Sequence, residues 1–387
     1  MKVAVLGAGY AGVTLTKKLE KSLPADVEVV LVNDTDDHLV QHELHRVVRR
    51  PAVADFITVP LSDVVDRATV RIGRVTDVDT DARTVQFADD SSLSYDVAAV
   101  CLGAETAYYD LPGVEEHSTP LKRLEDAHEI REEFMELVED GPAGGRVVVG
   151  GAGLSGIQVA GELAELADET GADVTVTVLE QLDSVAPAFP ENFQRAVHDA
   201  LVARGVEVRT NAAVTEATAD TLELADGQSL DYDQLVWTGG IRGPDALHGE
   251  RPVVRSNLRL DGTTFVVGDA AKVVDDAGTA VPASAQAAIR EARVAGKNVE
   301  RLVSHLRDGD AGDFQPRLER YTFDSPGWLV TVGNGAVAQV GPSVFTGRGA
   351  LTLKTTVGAG YLSSVGAVEE AVDLVNEELG IAPHEEA

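Results

Sequence analysis

Short apolar runs alternate with amphipathic stretches along most of the chain, starting at the second residue. Residues 2–6 (KVAVL) are almost uniformly apolar, as in a parallel strand buried on both faces. The turn GAGYAG follows at once. VTLTKKLEKSL comes next and places Val13, Leu15 and Leu19 on or near one helical face. VEVVLVND reads as a second buried strand, Val27 to Asn33. The same order returns with a strand at Arg146–Val149, the turn GGAGLSG, a helix through Leu166, and VTVTVLEQ running from Val174 to Glu180. Two such strand–turn–helix–strand units predict an α/β chain built on parallel sheets. Three further strands end in small-residue turns: DVAAVCLGAET (96–106), DQLVWTGGIRG (233–243) and TTFVVGDAA (263–271). The last is expected to open a helix at Asp269. Near the C-terminus an amphipathic helix is expected from about Val365 to Leu379. Val365, Val368, Val372, Val375 and Leu379 form its apolar face, opposite Glu369, Glu370, Asp373, Glu377 and Glu378.

The glycines of each turn have separate tasks. Gly7 and Gly151 permit the tight turn. Gly9 and Gly153 let a pyrophosphate approach the backbone, and Gly12 and Gly156 let helix and strand pack closely. The pyrophosphate then meets free N–H groups at the helix N-terminus. An acid gripping the ribose hydroxyls belongs at the end of each second strand. In the first unit that place holds Asn33, with Asp34 next; in the second it holds Glu180. A carboxylate there bonds a free 2′-hydroxyl and repels a 2′-phosphate, which predicts NADH over NADPH. Two units in one chain imply two dinucleotides, for which FAD with NAD(P)H is the common pairing. Gly103, Gly239, Gly268 and Asp269 are expected to complete the two sites. At Asp269 the carboxylate would accept hydrogen bonds from a hydroxyl chain, or act as a plain helix cap.

Length and charge narrow the picture. At 387 residues and 44% hydrophobic content, two or three packed domains are expected. The net charge is −32, from 64 acidic and 32 basic residues. Such a surface repels nucleic acid and anionic lipid. Its self-repulsion falls as the screening length drops from roughly 10 Å at 0.1 M salt to about 3 Å at 1 M, so a halophilic cytoplasm is expected, with a merely acidic protein as the alternative. No run of 18 apolar residues suggests a membrane span, and a strand starting at Lys2 leaves no room for a signal peptide. The single cysteine, Cys101, excludes an intrachain disulfide or a two-cysteine relay, and its apolar strand predicts a buried, inert thiol. In HLVQHELH, His38, His42 and His45 recur at helical spacing, but Glu43 and His45 break the HExxH order. A cofactor-side lining or a surface helix is expected there, and no metal.

The chain resembles the two-dinucleotide-binding flavoproteins and, within them, the type II NADH dehydrogenases. The resemblance is carried by GAGYAG, LPGVEEH–PLKRLEDA (111–127), GGAGLSGIQVAGELAEL, LVWTGGIR, FVVGDAA, PASAQAAI (282–289) and GWLVTVGNGAV (327–337). It implies two Rossmann-like domains of the glutathione-reductase type. A discontinuous FAD domain would cover 1–114 and 235–325, an inserted NAD domain 115–234, and a small C-terminal region 326–387. It also implies hydride transfer from NADH to FAD and two electrons onward to a quinone or other small acceptor, in a homodimer. The enzyme would be cytoplasmic, with peripheral contact at the cytoplasmic face of the membrane as an option. On the acceptor side the family's Ala-Gln-x-Ala-x-Gln segment reads here Ala285 to Arg290. Gln286 is kept, Arg290 replaces the second glutamine, and Gln158 stands where the family has glutamate. Arg290 could favour a polar or anionic acceptor, or simply form a helix-surface ion pair. A soluble electron-transfer reductase and a non-enzymatic NADH-binding redox sensor remain alternatives. The first is separated by its acceptor, the second by absence of turnover.

Overall fold

The valine-rich runs form the centres of two five-stranded parallel sheets in a computed structural model, which describes residues 1–141, 144–308, 316–367, 370–372 and 374–375. The first sheet runs Thr264–Val266, Val97–Val100, Lys2–Leu6, Glu28–Asn33, Thr69–Ile72. The second runs Thr119–Pro120, Gln234–Trp237, Gly145–Gly150, Val174–Leu179, Glu207–Arg209. Each has the first strand of its unit at the centre, where residues such as Val3 to Leu6, Val147 and Val149 are fully buried. Each unit also carries an antiparallel three-stranded meander before its last central strand: Val75–Asp79, Thr84–Phe87 and Ser92–Ser94 in one, Val214–Ala217, Thr221–Leu224 and Ser229–Asp231 in the other. This is the α/β, Rossmann-like architecture expected from the repeated pattern. Gln234–Trp237 pairs with Gly145–Gly150, so the second sheet runs past the division drawn at 234/235 from the sequence.

The C-terminal region differs from its expected form. An antiparallel sheet of Gly327–Val332, Gly335–Val340 and Ser343–Thr346 leads into a helix at Arg348–Val365. That helix ends where the sequence pattern starts one, because Gly366 turns left-handed at φ 98°. Beyond it Ala371 and Leu374 are buried while Val372 is 53% exposed, so Val372 does not lie on a covered apolar face. Val368, Glu369, Asp373, Glu377, Glu378 and Leu379 lie outside the described residues. No helix among the described residues is long and apolar enough to cross a membrane.

HLVQHELH is not one helix. His38 sits on the strand Asp37–Leu39, His42 in the 3-10 turn Gln41–Glu43, and His45 at the start of the helix His45–Arg49. His38 and His45 are buried, which rules out the surface-helix reading. The short helix instead sets Arg49 between the two units. Arg49 Nε lies 2.7 Å from Glu162 Oε2 on the second unit's helix, and its Nη1 donates to Asn334 Oδ1 of the C-terminal sheet at 2.9 Å.

Candidate functional site

The first glycine turn is shaped by backbone contacts. A Cβ on Gly7, whose φ is +98°, would stand 2.4 Å from the Cys101 carbonyl oxygen. One on Gly12 would stand 1.7 Å from the Gly7 carbonyl oxygen. A Cβ on Gly9 would meet nothing within 4 Å, so this glycine faces open space at the start of the helix Tyr10–Ser22. Gly7, Gly9, Asn33, Asp34 and Gly103 line one cavity of ≈ 330 Å³ together with Glu105, Lys122 and Arg123. Asn33 is less free than expected. Its Oδ1 accepts from Ala8 N at 2.9 Å and its Nδ2 donates to the Thr35 and Asp37 carbonyls, so it pins the turn. Asp34 pairs with Arg123 at 3.0 Å, and Arg123 reaches Glu105 at 3.3 Å.

Gly268 packs against the first helix, a Cβ there standing 3.3 Å from Ala11 Cβ. Asp269 does not open a helix. It lies in the single 3-10 turn Gly268–Ala270, and the next helix is Ala285–Asp308, so 268–270 offers no helix terminus to a phosphate. Burial raises the Asp269 carboxyl above its ordinary range, against Lys122 and Arg251. Burial likewise pushes the Lys122 ammonium down, against Asp269 and Glu105. Asp126 holds the backbone beneath Lys122, accepting from Lys122 N at 2.6 Å and Arg123 N at 2.8 Å. A desolvated lysine and carboxyl beside an open glycine turn suit a ligand carrying a diphosphate and hydroxyls. Sequence reasoning missed Lys122 as a site residue, although PLKRLEDA was singled out.

Beneath this site Glu291 accepts from Gly268 N at 2.8 Å while only 2% exposed. Burial pushes its carboxyl up to about 7, with the Gly268 N–H opposing. A carboxyl raised from 4.5 to about 7 is protonated more in the fold than in the unfolded chain. Stability therefore falls as pH rises from 4.5 to 7, and the penalty is complete above 7, worth at most about 3.4 kcal/mol. Glu291→Gln keeps an acceptor for Gly268. Its melting temperature relative to the parent is expected to rise from pH 5 to pH 8, and a pH-independent difference refutes this account.

The second turn repeats the first. Gly151 has φ +96°, a Cβ on Gly156 would stand 1.9 Å from the Gly151 oxygen, and Gly153 faces open space. Ala152 N donates to Glu180 Oε2 at 3.0 Å, as Ala8 N does to Asn33, and Leu182 N donates to Glu180 Oε1 at 2.9 Å. Each carboxylate oxygen keeps a further lone pair. Glu180, Gly151 and Gly239 line a second, smaller cavity with Tyr109 and Leu111.

The three acceptor-side candidates line neither of these two cavities. Gln158 donates to Thr331 Oγ1 at 3.1 Å, and that hydroxyl lies 2.7 Å from His45 Nε2. Gln286 donates to Ser325 Oγ at 3.0 Å. Ser325–Thr331 thus touches both glutamines. Arg290 forms no hydrogen bond or ion pair among the described residues, so the helix-surface pairing is not made. Nearby, Tyr10 OH lies 2.5 Å from His42 Nδ1. His38 Nδ1 donates to Ala8 O at 2.7 Å, and Tyr361 OH donates to His38 Nε2 at 2.8 Å. Burial lowers His38 to about 4, so the ring is neutral at pH 7, as this donor–acceptor order requires. Burial disfavours the Glu43 charge, yet Lys354 at 2.9 Å and Arg46 at 3.1 Å hold that carboxyl well below its ordinary range. No group of three or more His, Cys, Asp or Glu among the described residues is placed to hold a metal. Cys101 is buried, and burial pushes its thiol up.

Known proteins resemble this chain in sequence or in fold. A type II NADH:quinone oxidoreductase of Staphylococcus haemolyticus is 26% identical, over 95% of this chain and 96% of its own. The corresponding protein of Staphylococcus saprophyticus is 26% identical over 78% of this chain and 82% of its own. The fold is similar to that of NDH2 from Plasmodium falciparum solved with NADH, at TM-score 0.80 and 15% identity over 99% of both chains. It is also similar to the sulfide:quinone oxidoreductase of Aquifex aeolicus, at TM-score 0.77 and 19% identity over 98% of this chain and 96% of that one. The pyridine nucleotide-disulphide oxidoreductase family description matches residues 1–292, and this chain, despite its lone cysteine, belongs to that family.

Proposed function

We propose that this protein is an FAD-dependent NADH dehydrogenase of the type II kind, with a quinone as acceptor. The observation that carries the reading is the duplication: two open glycine turns of the same geometry, each beside its own cavity, in one chain. Near full-length likeness to type II NADH:quinone oxidoreductases supports the assignment of donor and acceptor. FAD would be held by Gly7, Gly9, Gly12, Asn33, Asp34, Gly103, Gly268 and Asp269, with Lys122 facing the diphosphate. NADH would be held by Gly151, Gly153, Gly156, Glu180 and Gly239. When bound, the flavin supplies hydride acceptance and two-electron delivery. The chain's own part is to hold both dinucleotides by their phosphates and riboses and to fix their approach. Gln158, Gln286 and Arg290 are the proposed acceptor-side residues, Arg290, which forms no ion pair among the described residues, being the cation available to an anionic group there.

Charge distribution favours a quinone in or at a lipid surface. From Ser325 to Val368 the chain has neither Asp nor Glu, in a protein with 64 acids. That stretch exposes Val340, Phe345, Leu353 and Val357. We infer that this acid-free stretch makes the peripheral membrane contact, and that the acidic remainder suits molar salt. Oxidation of NADH with a soluble menaquinone analogue in molar salt tests the function. Turnover is expected, with kcat/KM for NADH at least about tenfold above NADPH, the effect of some 1.4 kcal/mol of repulsion from Glu180. Glu180→Gln is expected to narrow that ratio. A preference for NADPH refutes the Glu180 assignment, turnover only with a small iron–sulfur protein favours the electron-transfer reductase, and NADH binding without turnover favours the sensor. Sedimentation of the same protein with lipid vesicles tests the surface contact, which is wrong if the protein stays in the supernatant.

A further inference from the structure

Tyr109 joins the two units and is the most exposed aromatic side chain among the described residues, at 60%. Its backbone is left-handed, φ +56°, and so is that of the next residue, Asp110, at +54°. Two consecutive non-glycine residues in this region store strain, which folds retain where the position of a side chain matters. The surroundings are fitted to the ring. A Cβ on Gly240 would stand 1.9 Å from the Tyr109 hydroxyl, so only glycine there leaves the ring its place, and the hydroxyl lies 3.5 Å from the Gly239 oxygen. The ring borders the cavity that holds Gly151 and Glu180, with Leu111 and Ala213 on its other walls.

We propose that Tyr109 is the stacking platform for the adenine of the nicotinamide dinucleotide, an inference that rests on the reading of the second unit as the NADH site. With the ribose on Glu180, the adenine must lie beyond the end of the strand Val174–Leu179, where this cavity opens. A planar purine covers an exposed phenol ring and removes apolar surface from water. The strained backbone at Tyr109 and Asp110 holds the ring at the mouth before the ligand arrives, so little ordering remains to be done on binding.

The test compares Tyr109→Ala and Tyr109→Phe on the flavin-loaded enzyme with two donors, NADH and reduced nicotinamide mononucleotide, which lacks the adenine. Tyr109→Ala is expected to raise KM for NADH about tenfold, within the range for loss of one base–aromatic stack, with kcat unchanged. It should also weaken inhibition by AMP by a similar factor. Kinetics with the mononucleotide should not change, and Tyr109→Phe should behave as the parent. Equal losses with both donors would show a general structural role, and an unchanged KM for NADH would show no contact; either overturns the proposal. A parent enzyme that oxidises neither donor overturns the NADH reading itself.

Discussion

Gly12→Ala is expected to yield a destabilised protein without flavin, and Gly9→Ala a folded protein that binds flavin less tightly. The two substitutions add the same methyl group to the same turn. At Gly12 the Cβ would fall 1.7 Å from the Gly7 carbonyl oxygen and 2.9 Å from its carbon, both backbone atoms that cannot rotate away. The helix Tyr10–Ser22 must then lift off the first strand, at a cost on the order of 3 kcal/mol or more. Gly9 has φ −72° and open space around it, so the apoprotein accepts alanine there. The methyl instead occupies the room a pyrophosphate needs to reach the N–H groups of the turn. Flavin affinity should fall at least about tenfold, or 1.4 kcal/mol. The ratio of absorbance at 450 nm to that at 280 nm reports bound flavin, and far-ultraviolet circular dichroism on heating reports the fold. Full flavin content in Gly9→Ala places the diphosphate elsewhere. A Gly12→Ala protein with parental melting removes the packing argument. The same contrast holds for Gly156, 1.9 Å from the Gly151 oxygen, and Gly153 in the second unit, read there by NADH binding.

These turns were legible in the sequence because their requirement is local. A tight turn, a close helix and an open approach each exclude a side chain within a few residues, and the glycines record it. The strand ends at Asn33 and Glu180, where a ribose is expected, were found by distance along the chain, but the chemistry of these side chains was only half visible. Asn33 and Glu180 both accept the N–H of the residue between the first two glycines, a structural duty that no spacing rule reveals. The helix Arg348–Val365 was hidden because Gly349, Gly358 and Gly360 and a run of threonines give it weak propensity and no apolar stripe. The spacing of His38, His42 and His45 misled because the chain passes there from strand to 3-10 turn to helix, and 3.6-residue periodicity has no meaning across such a path. Lys122, Tyr109 and Arg49 meet Asp269, Gly239 and Glu162, neighbours far along the chain that pattern alone does not supply.

Arg49 shows how much such a non-local partner carries. Its side chain is 4% exposed and faces Glu162, 3% exposed, at 2.7 Å. It also reaches Glu169 at 3.3 Å and Asn334 at 2.9 Å. One residue of the first unit therefore ties the second unit's helix Leu154–Thr170 and the C-terminal sheet. Burial already raises the Glu162 carboxyl despite Arg49. Arg49→Ala takes the largest counter-charge from that buried carboxyl and leaves the weaker fields of Arg46, Lys354 and Arg50, and a loss of about 3 kcal/mol is expected. The sign of its pH dependence follows. Without the guanidinium the folded-state pKa of Glu162 rises further above the unfolded value, so the penalty is small near pH 4.5 and grows toward pH 8. Exchanging both partners, Arg49→Met with Glu162→Leu, removes the charge along with its counter-charge and should return stability to within about 1 kcal/mol of the parent. Salt separates this pair from the surface ones. An exposed pair such as Arg195 with Glu191, 3.7 Å apart, is screened to nothing in molar salt, whereas ions do not enter the Arg49–Glu162 contact. Denaturant midpoints in 2 M salt should therefore still show the full Arg49→Ala loss, and a loss under 1 kcal/mol there would mean that the three parts of the fold are held together by apolar packing alone.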